Sequence, residues 1–461
     1  MKKNNKRKNK ILNRRKQRII VLIILLLVLL VLLFRLELYN KEPVIIKYDY
    51  AEKYNEDKTL NVSLKLQTFN TNKVYCKFIS DEESKWILAN NRTCTYPIKT
   101  GKYKIKIKYN KDLIAEYEKD FNIDKVISIE IKDKRKYVAV GATYNINALV
   151  DYVGDVDTSI KYSSSNPDVI SINENGELYA HKDGNAVISA KTSNGLEDKF
   201  ELISTSLIRP RLMSNYKTTV GCNVYTKEQV DMLDDILKSE VDRAGPGTRA
   251  GVVAAATFLP MEFPYKIPYF YENGRLSENG NHKTVDGEGR WYHKGLYLGV
   301  DKQNEVKYVM NGPKSWGCPL LNWEDDGYRK PGEYYPNGLD CSGYISWVLY
   351  NGGLDPGDLG SGISGSLPDL SDLGEIRYIN YDLMHSGTVK PGDLIGWDGH
   401  IALIAWITED KIYVTESLLP GVVMDEYDIS SPYSNFYYRY DHIIDMSNQY
   451  SGEGNYPNIW Q

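Results

Sequence analysis

Residues 337–353 read "NGLDCSGYISWVLYNGG". Cys341 follows an aspartate. Ile345, Val348 and Leu349 then fall on the face of a helix that begins at the cysteine. Gly352-Gly353 ends the pattern. Cys341 therefore opens a helix and faces its packed side. There the helix dipole and unpaired N–H groups favour a thiolate, so the thiol is expected to ionise below its ordinary value. Three readings compete: half of a disulfide, a small buried hydrophobe, or a nucleophile.

The surrounding region weighs on that choice. In "VKPGDLIGWDGHIALIAWI", residues 389–407, Pro391-Gly392-Asp393 and Asp398-Gly399 mark turns, and a strand opens with His400. Both faces of this strand are apolar, so it is buried. A histidine at the mouth of a buried strand suits a general base. Thr408 to Lys411 form a turn, and "KIYVTES" runs back beside the first strand, which brings Glu416 near His400. A carboxylate there can orient the imidazole; Asp398 and Asp425 are its rivals. Upstream, Thr226 and Gln229 fit a capping box ahead of "KEQVDMLDDILKSEVDRAG", and "TRAGVVAAATFL" reads as a second helix. The region is α+β, and the tail after about residue 447 reads as loose.

This order of residues resembles the NlpC-type family, the papain-like cysteine peptidases of bacterial cell walls. The likeness rests on "DCSGYISWVL", "KPGDLIGWDGHIALI", "YVTES" and the aromatic "FPYKIPYFYENG", and covers about residues 226–430. It implies hydrolysis of peptidoglycan stem peptides, commonly at a D-γ-glutamyl bond to a diamino acid. It casts Cys341 as nucleophile, His400 as base, Glu416 as orienter and Tyr269 as an aid to the oxyanion. Asp340 and Ser342 would contact substrate. Two features depart from the family: its third residue is often histidine, and residues 275–337 form an unusually long insertion before Cys341. No cofactor or metal is expected, since neither C-x-x-C nor H-E-x-x-H occurs.

Charge is placed unevenly. Residues 1–18 carry ten Lys or Arg and no acid, while the chain as a whole is −4, which leaves −14 on the remainder. An acidic body argues against a nucleic-acid partner. "IIVLIILLLVLLVLLF", residues 19–34, is uncharged and apolar. No small-residue cleavage site follows it, so it reads as an uncleaved membrane anchor rather than a signal peptide. The basic tail keeps the N-terminus in the cytoplasm and puts the rest outside, where disulfides form. Five cysteines are odd in number; pairing Cys76 with Cys94 and Cys222 with Cys318 leaves Cys341 alone, although Cys222 and Cys318 could equally be free.

Short alternating runs between residues 40 and 124 suggest a β-sandwich. Between 125 and 207, turn signals recur about every ten residues, as in a sandwich. There "YSSSNPDVISINENGELYAHKDGNAVISA" resembles the bacterial Ig-like domain family, which implies a spacer or adhesion module. The expected organisation is therefore a cytoplasmic tail (1–18), a transmembrane helix (19–38), two all-β Ig-like sandwiches (39–124 and 125–207) and a papain-like α+β peptidase domain (208–461). Expected partners are peptidoglycan, the cytoplasmic membrane and wall-spanning machinery. The rival readings are an anchored wall-binding or adhesion protein with an inactive peptidase-like head, and a related amidase or acyltransferase.

Overall fold

The computed structural model describes residues 2–39, 44–67, 73–81, 84–109, 112–212, 218–222, 224–269, 317–321, 330–336, 338–354 and 373–458. Most of the insertion expected at 275–337 lies outside the described residues. The chain divides into two compact units, residues 1–128 with 150–159, and residues 129–149 with 160–461.

The first unit begins with the helix Lys2–Tyr39. Its segment Arg15–Leu33 is long and apolar enough to cross a membrane. A β-sandwich follows. The strands Val44–Tyr54, Leu60–Gln67 and Thr93–Ile98 form one sheet; Ile87–Leu88, Val74–Ile79, Gly101–Tyr109 and Asp112–Phe121 form the other. Alternation decides which side faces in: Leu60, Val62, Leu64 and Leu66 are buried, while Lys65 and Gln67 between and after them are exposed. They pack with Phe78, Ile105 and Ile107 of the second sheet. The Cys76–Cys94 disulfide joins the two sheets.

In the second unit, the sandwich that follows has its own core of Ile131, Tyr144, Ile170, Leu178, Ile188 and Leu202. Its two larger sheets contain three strands and four strands. This domain also shares a core with the region after it: Tyr137, Ala139 and Ile208 lie in one cluster with Leu233, Ile236 and Leu237 of the helix Lys227–Ala244. Polar contacts reinforce the junction. Arg243 lies 2.6 Å from Asp133, Lys136 lies 2.5 Å from Asp235, and the Tyr137 hydroxyl donates to Asp235. The implied spacer is thus built into the same unit as the C-terminal region.

That region is a six-stranded antiparallel sheet. In spatial order its strands are Glu375–Tyr378, His442–Asp445, Leu394–Trp397, His400–Ile407, Lys411–Leu418 and Gly421–Asp428. One face packs against the helices Lys227–Ala244, Arg249–Thr257 and Cys341–Asn351 through Leu394, Ile401 and Leu403. The other face carries Ile395, Ala402, Ile404 and Val414 against Phe436 and Tyr440. Cover on both faces is why the His400 strand is apolar throughout. The Thr226–Gln229 capping box is present as expected. So is the second disulfide, Cys222–Cys318.

The tail differs from its sequence reading. Residues 449–458 are mostly exposed but tied down, because their backbone completes two helix ends. The first N–H groups of the helix at Arg249 and Ala250 donate to the carbonyls of Gly452 and Glu453, and the Asn455 N–H donates to the Ala244 carbonyl. Helix termini have backbone groups with no partner inside the helix. A Gly- and Asn-rich strand of chain can supply them, although its composition reads as loose.

Beneath the tail, Arg211 is buried, with its guanidinium 2.6 Å from Glu262 and 3.4 Å from Glu240; it also donates to the Asn458 carbonyl. Removing the cation leaves two carboxylates buried without it. Arg211→Met is expected to destabilise the second unit by about 3–5 kcal/mol. Thermal unfolding of the full chain in detergent should show the transition of that unit lowered by several degrees, with the first unit unaffected.

Candidate active site

Cys341 is the first residue of its helix. Asp340 is the N-cap, with Oδ1 accepting the Gly343 N–H at 2.6 Å and the Ser342 hydroxyl at 3.4 Å. The turn before the cap is held from two sides. The Leu339 N–H donates to the Pro268 carbonyl at 3.0 Å, and the Ser417 hydroxyl donates to the Leu339 carbonyl at 2.6 Å. Gly338 permits this approach, since a Cβ there would lie 1.8 Å from the Pro268 oxygen. The strand that carries Glu416 is thereby tied to the chain that delivers Cys341. The same contact brings in the aromatic segment: Tyr269, half-buried, donates its N–H to the Pro420 carbonyl, beside Pro268.

His400 is buried at the start of its strand. The Asp398-Gly399 turn makes Trp397 its cross-strand partner, and the two rings stack with centroids 4.2 Å apart. Nε2 of His400 lies 2.7 Å from Oε2 of Glu416. Glu416 has no exposed surface. Burial alone would raise its affinity for protons, but the His400 hydrogen bond and the nearby Arg439 charge outweigh it and hold the carboxyl below the usual carboxylate value. An ionised carboxylate only accepts hydrogen bonds, so Nε2 is the nitrogen that donates to it. Of the rival carboxylates, Asp398 is exposed on the turn and Asp425 lies across from Val414; Glu416 is the one that meets His400.

Cys341 is buried in one cluster with Ile401, and the backbone N–H groups of Ile401, Ser342 and Cys341 itself pull its thiol value down. Ile401 directly follows His400, so the thiol and the imidazole are borne by contacting chain. The expectation of a readily ionised thiol is overturned. Burial first, and then the Asp340 carboxylate, push the thiol up to about 12, and the N–H groups offset this only in part. The helix N-terminus would favour a thiolate, but the same N-terminus is capped by a negative charge in a dry site. The thiol is free of any disulfide, and its surroundings favour the protonated form.

The structure thus pairs His400 with Glu416, packs Cys341 with Ile401, the residue after His400, ties the Tyr269 segment to the turn before Cys341, and gives Asp340 and Ser342 positions in the helix cap. Among the described residues, no three His, Cys, Asp or Glu side chains converge as metal ligands would. The sequence pattern did not single out three contributors: Trp397, Ser417 and Arg439. Trp397 was accessible in principle, because a two-residue Asp-Gly turn pairs the residues that flank it. Arg439 lies 23 positions beyond Glu416 and carries no local signal.

Residues 125–201 match the bacterial Ig-like domain (group 2) family. No curated protein matches the chain. Among solved structures, similarity reaches the C-terminal 282-residue fragment of intimin in complex with the translocated intimin receptor's intimin-binding domain. The identity is 13 %, over 42 % of this chain and 79 % of that one, with a TM-score of 0.23. A fragment of the S-layer protein rSbsC is 13 % identical over 38 % of this chain and 28 % of its own, with a TM-score of 0.20. The N-terminal eight Ig domains of the Down Syndrome Cell Adhesion Molecule are 11 % identical over 37 % of this chain and 25 % of their own, with a TM-score of 0.25. Likenesses this weak carry no inference about function.

The raised thiol value fixes the sign of a pH effect. The thiolate, the form that alkylates, becomes scarcer as the thiol value rises. Iodoacetamide modification of Cys341 in the full chain is expected to be slower than that of free cysteine at neutral pH. It should keep climbing past about pH 9, as in a thiol shifted upward by burial. A rate already level at about pH 5 would instead show a preformed thiolate.

Proposed function

We propose that the chain is a membrane-anchored extracellular cysteine peptidase that hydrolyses amide bonds in the stem peptides of peptidoglycan, through a papain-like C-terminal domain. The observation that carries this reading is the state of Cys341. It is the one cysteine outside a disulfide, it opens a buried helix, and it packs with Ile401, next to a histidine that a buried carboxylate meets. That is the arrangement nucleophile, base and orienter require.

In the proposed mechanism, Nδ1 of His400 takes the Cys341 proton as the sulfur attacks the amide carbonyl, so no thiolate need accumulate beforehand. Glu416 accepts from Nε2 and stabilises the imidazolium that forms. The carbonyl oxygen gains negative charge and is met by backbone N–H at the helix start, with the Tyr269 hydroxyl as an additional donor. His400 returns the proton to the departing amine. It then activates water to hydrolyse the thioester. Asp340 and Ser342 are the proposed contacts to substrate, and a D-γ-glutamyl bond to a diamino acid is the proposed target, both on the resemblance to the NlpC-type family.

For location, we propose that the basic N-terminus is cytoplasmic and the remainder external. The ten basic residues ahead of the apolar helix and the two disulfides support this orientation. One observation favours a second reading. The bacterial Ig-like domain at 125–201 would also suit an anchored adhesion protein whose C-terminal domain is inactive.

Digestion of purified peptidoglycan by the full chain in detergent separates the two. The peptidase reading expects soluble peptide fragments whose new ends, read by mass spectrometry, identify the bond. Cys341→Ala and His400→Ala are each expected to lower release at least about a thousandfold. Unchanged release by Cys341→Ala would refute the nucleophile.

A further inference from the structure

The geometry points to Arg439 as a positioning residue of this site: its guanidinium holds Glu416 in place, as an ion, against Nε2 of His400, and so keeps Nδ1 available to Cys341. This rests on the reading of Cys341 and His400 as nucleophile and base. Glu416 divides its two oxygens: Oε2 meets His400 at 2.7 Å, and Oε1 accepts from Arg439 Nη2 at 2.9 Å. The carboxylate is fully buried, whereas the Arg439 side chain is about one-third exposed. The cation thus reaches in from the solvent side to an acid with no exposed surface. Buried carboxylates persist as ions only when paired or well hydrogen-bonded. An imidazole alone is a poor guarantor, because the shared proton can sit on either partner.

Arg439 is itself held by the same cluster. Its guanidinium lies 5.5 Å from the Trp397 ring, the ring that stacks on His400, and its Nε donates to the Tyr440 hydroxyl at 3.2 Å. Glu416, Arg439, Trp397 and His400 therefore form a closed circuit of contacts. The charged and titratable groups around the pair come from several elements. Arg439 and Tyr440 belong to the segment after Ser434, and Tyr427 to the neighbouring strand. Cys341 and Asp340 belong to the helix. Arg439 is the permanent cation in this set.

The sign of its effect does not depend on which member of the pair takes the proton. Removing a nearby positive charge favours protonation of both the imidazole and the carboxylate. The test compares wild type, Arg439→Gln and Arg439→Lys as full chains in detergent micelles. The first readout is the titration midpoint of the His400 ring nitrogens by NMR of 15N-histidine-labelled protein, assigned with His400→Gln. The second is the pH profile of fragment release from peptidoglycan. Arg439→Gln is expected to move the midpoint and the acid limb of the profile upward by about one pH unit. Activity should recover towards wild type at alkaline pH, and Arg439→Lys should restore most of the shift.

A midpoint that does not move in Arg439→Gln would overturn the proposal, as would a loss that is uniform in pH and not rescued by lysine. The NMR readout needs no substrate. Absence of fragment release from wild type would therefore defeat the peptidase reading while the titration still decides the role of Arg439.

Discussion

A carboxylate sealed from solvent and facing an imidazole is the contact on which this site depends. Glu416 has no exposed surface, and its Oε2 lies 2.7 Å from Nε2 of His400. Burying an ion is costly unless its partners replace water. Here they do, and the ion in turn dictates which nitrogen of the histidine carries a proton. Without that constraint His400 would be one more buried polar ring in a tightly packed sheet. With it, the ring has a donating Nε2 and a fixed orientation.

The fold supplies the constraint through ordinary packing. The His400 strand is covered on both faces, so its first residue is held by rigid neighbours on either side. Trp397 is carried opposite His400 by a two-residue turn. Ser417, next to Glu416, ties its strand to the carbonyl of Leu339, two residues before the cysteine. One strand thus meets His400 with one side chain and anchors the turn before Cys341 with the next. The burial that seals Glu416 also extends to Cys341, where it raises the thiol.

Much of this arrangement was legible in the chain. The capping box at Thr226, the helix that starts at Cys341, the Asp-Gly turn before His400 and the return strand to Glu416 all follow from local spacing, and local spacing is what their geometry depends on. Counting the cysteines showed that one is left over, but left open whether Cys222 and Cys318 pair, which the structure shows they do. What escaped depends on distant chain. Arg439 reaches Glu416 from a separate segment, the tail closes helix ends laid down some 200 residues earlier, and the Ig-like domain shares apolar core with the helix Lys227–Ala244. The direction of the thiol shift was missed for a different reason. The favourable helix N-terminus is visible in sequence, but the burial and the capping charge that outweigh it appear only when the turn is assembled.

The direct test of this account is the tautomer of His400 at neutral pH, read from the 15N shifts and long-range 1H–15N couplings of the two ring nitrogens in the full chain. The account predicts a protonated Nε2 and a bare Nδ1. A proton on Nδ1, with Nε2 bare towards Glu416, would mean that the carboxylate does not orient the ring, and the base assigned to Cys341 would be lost with it.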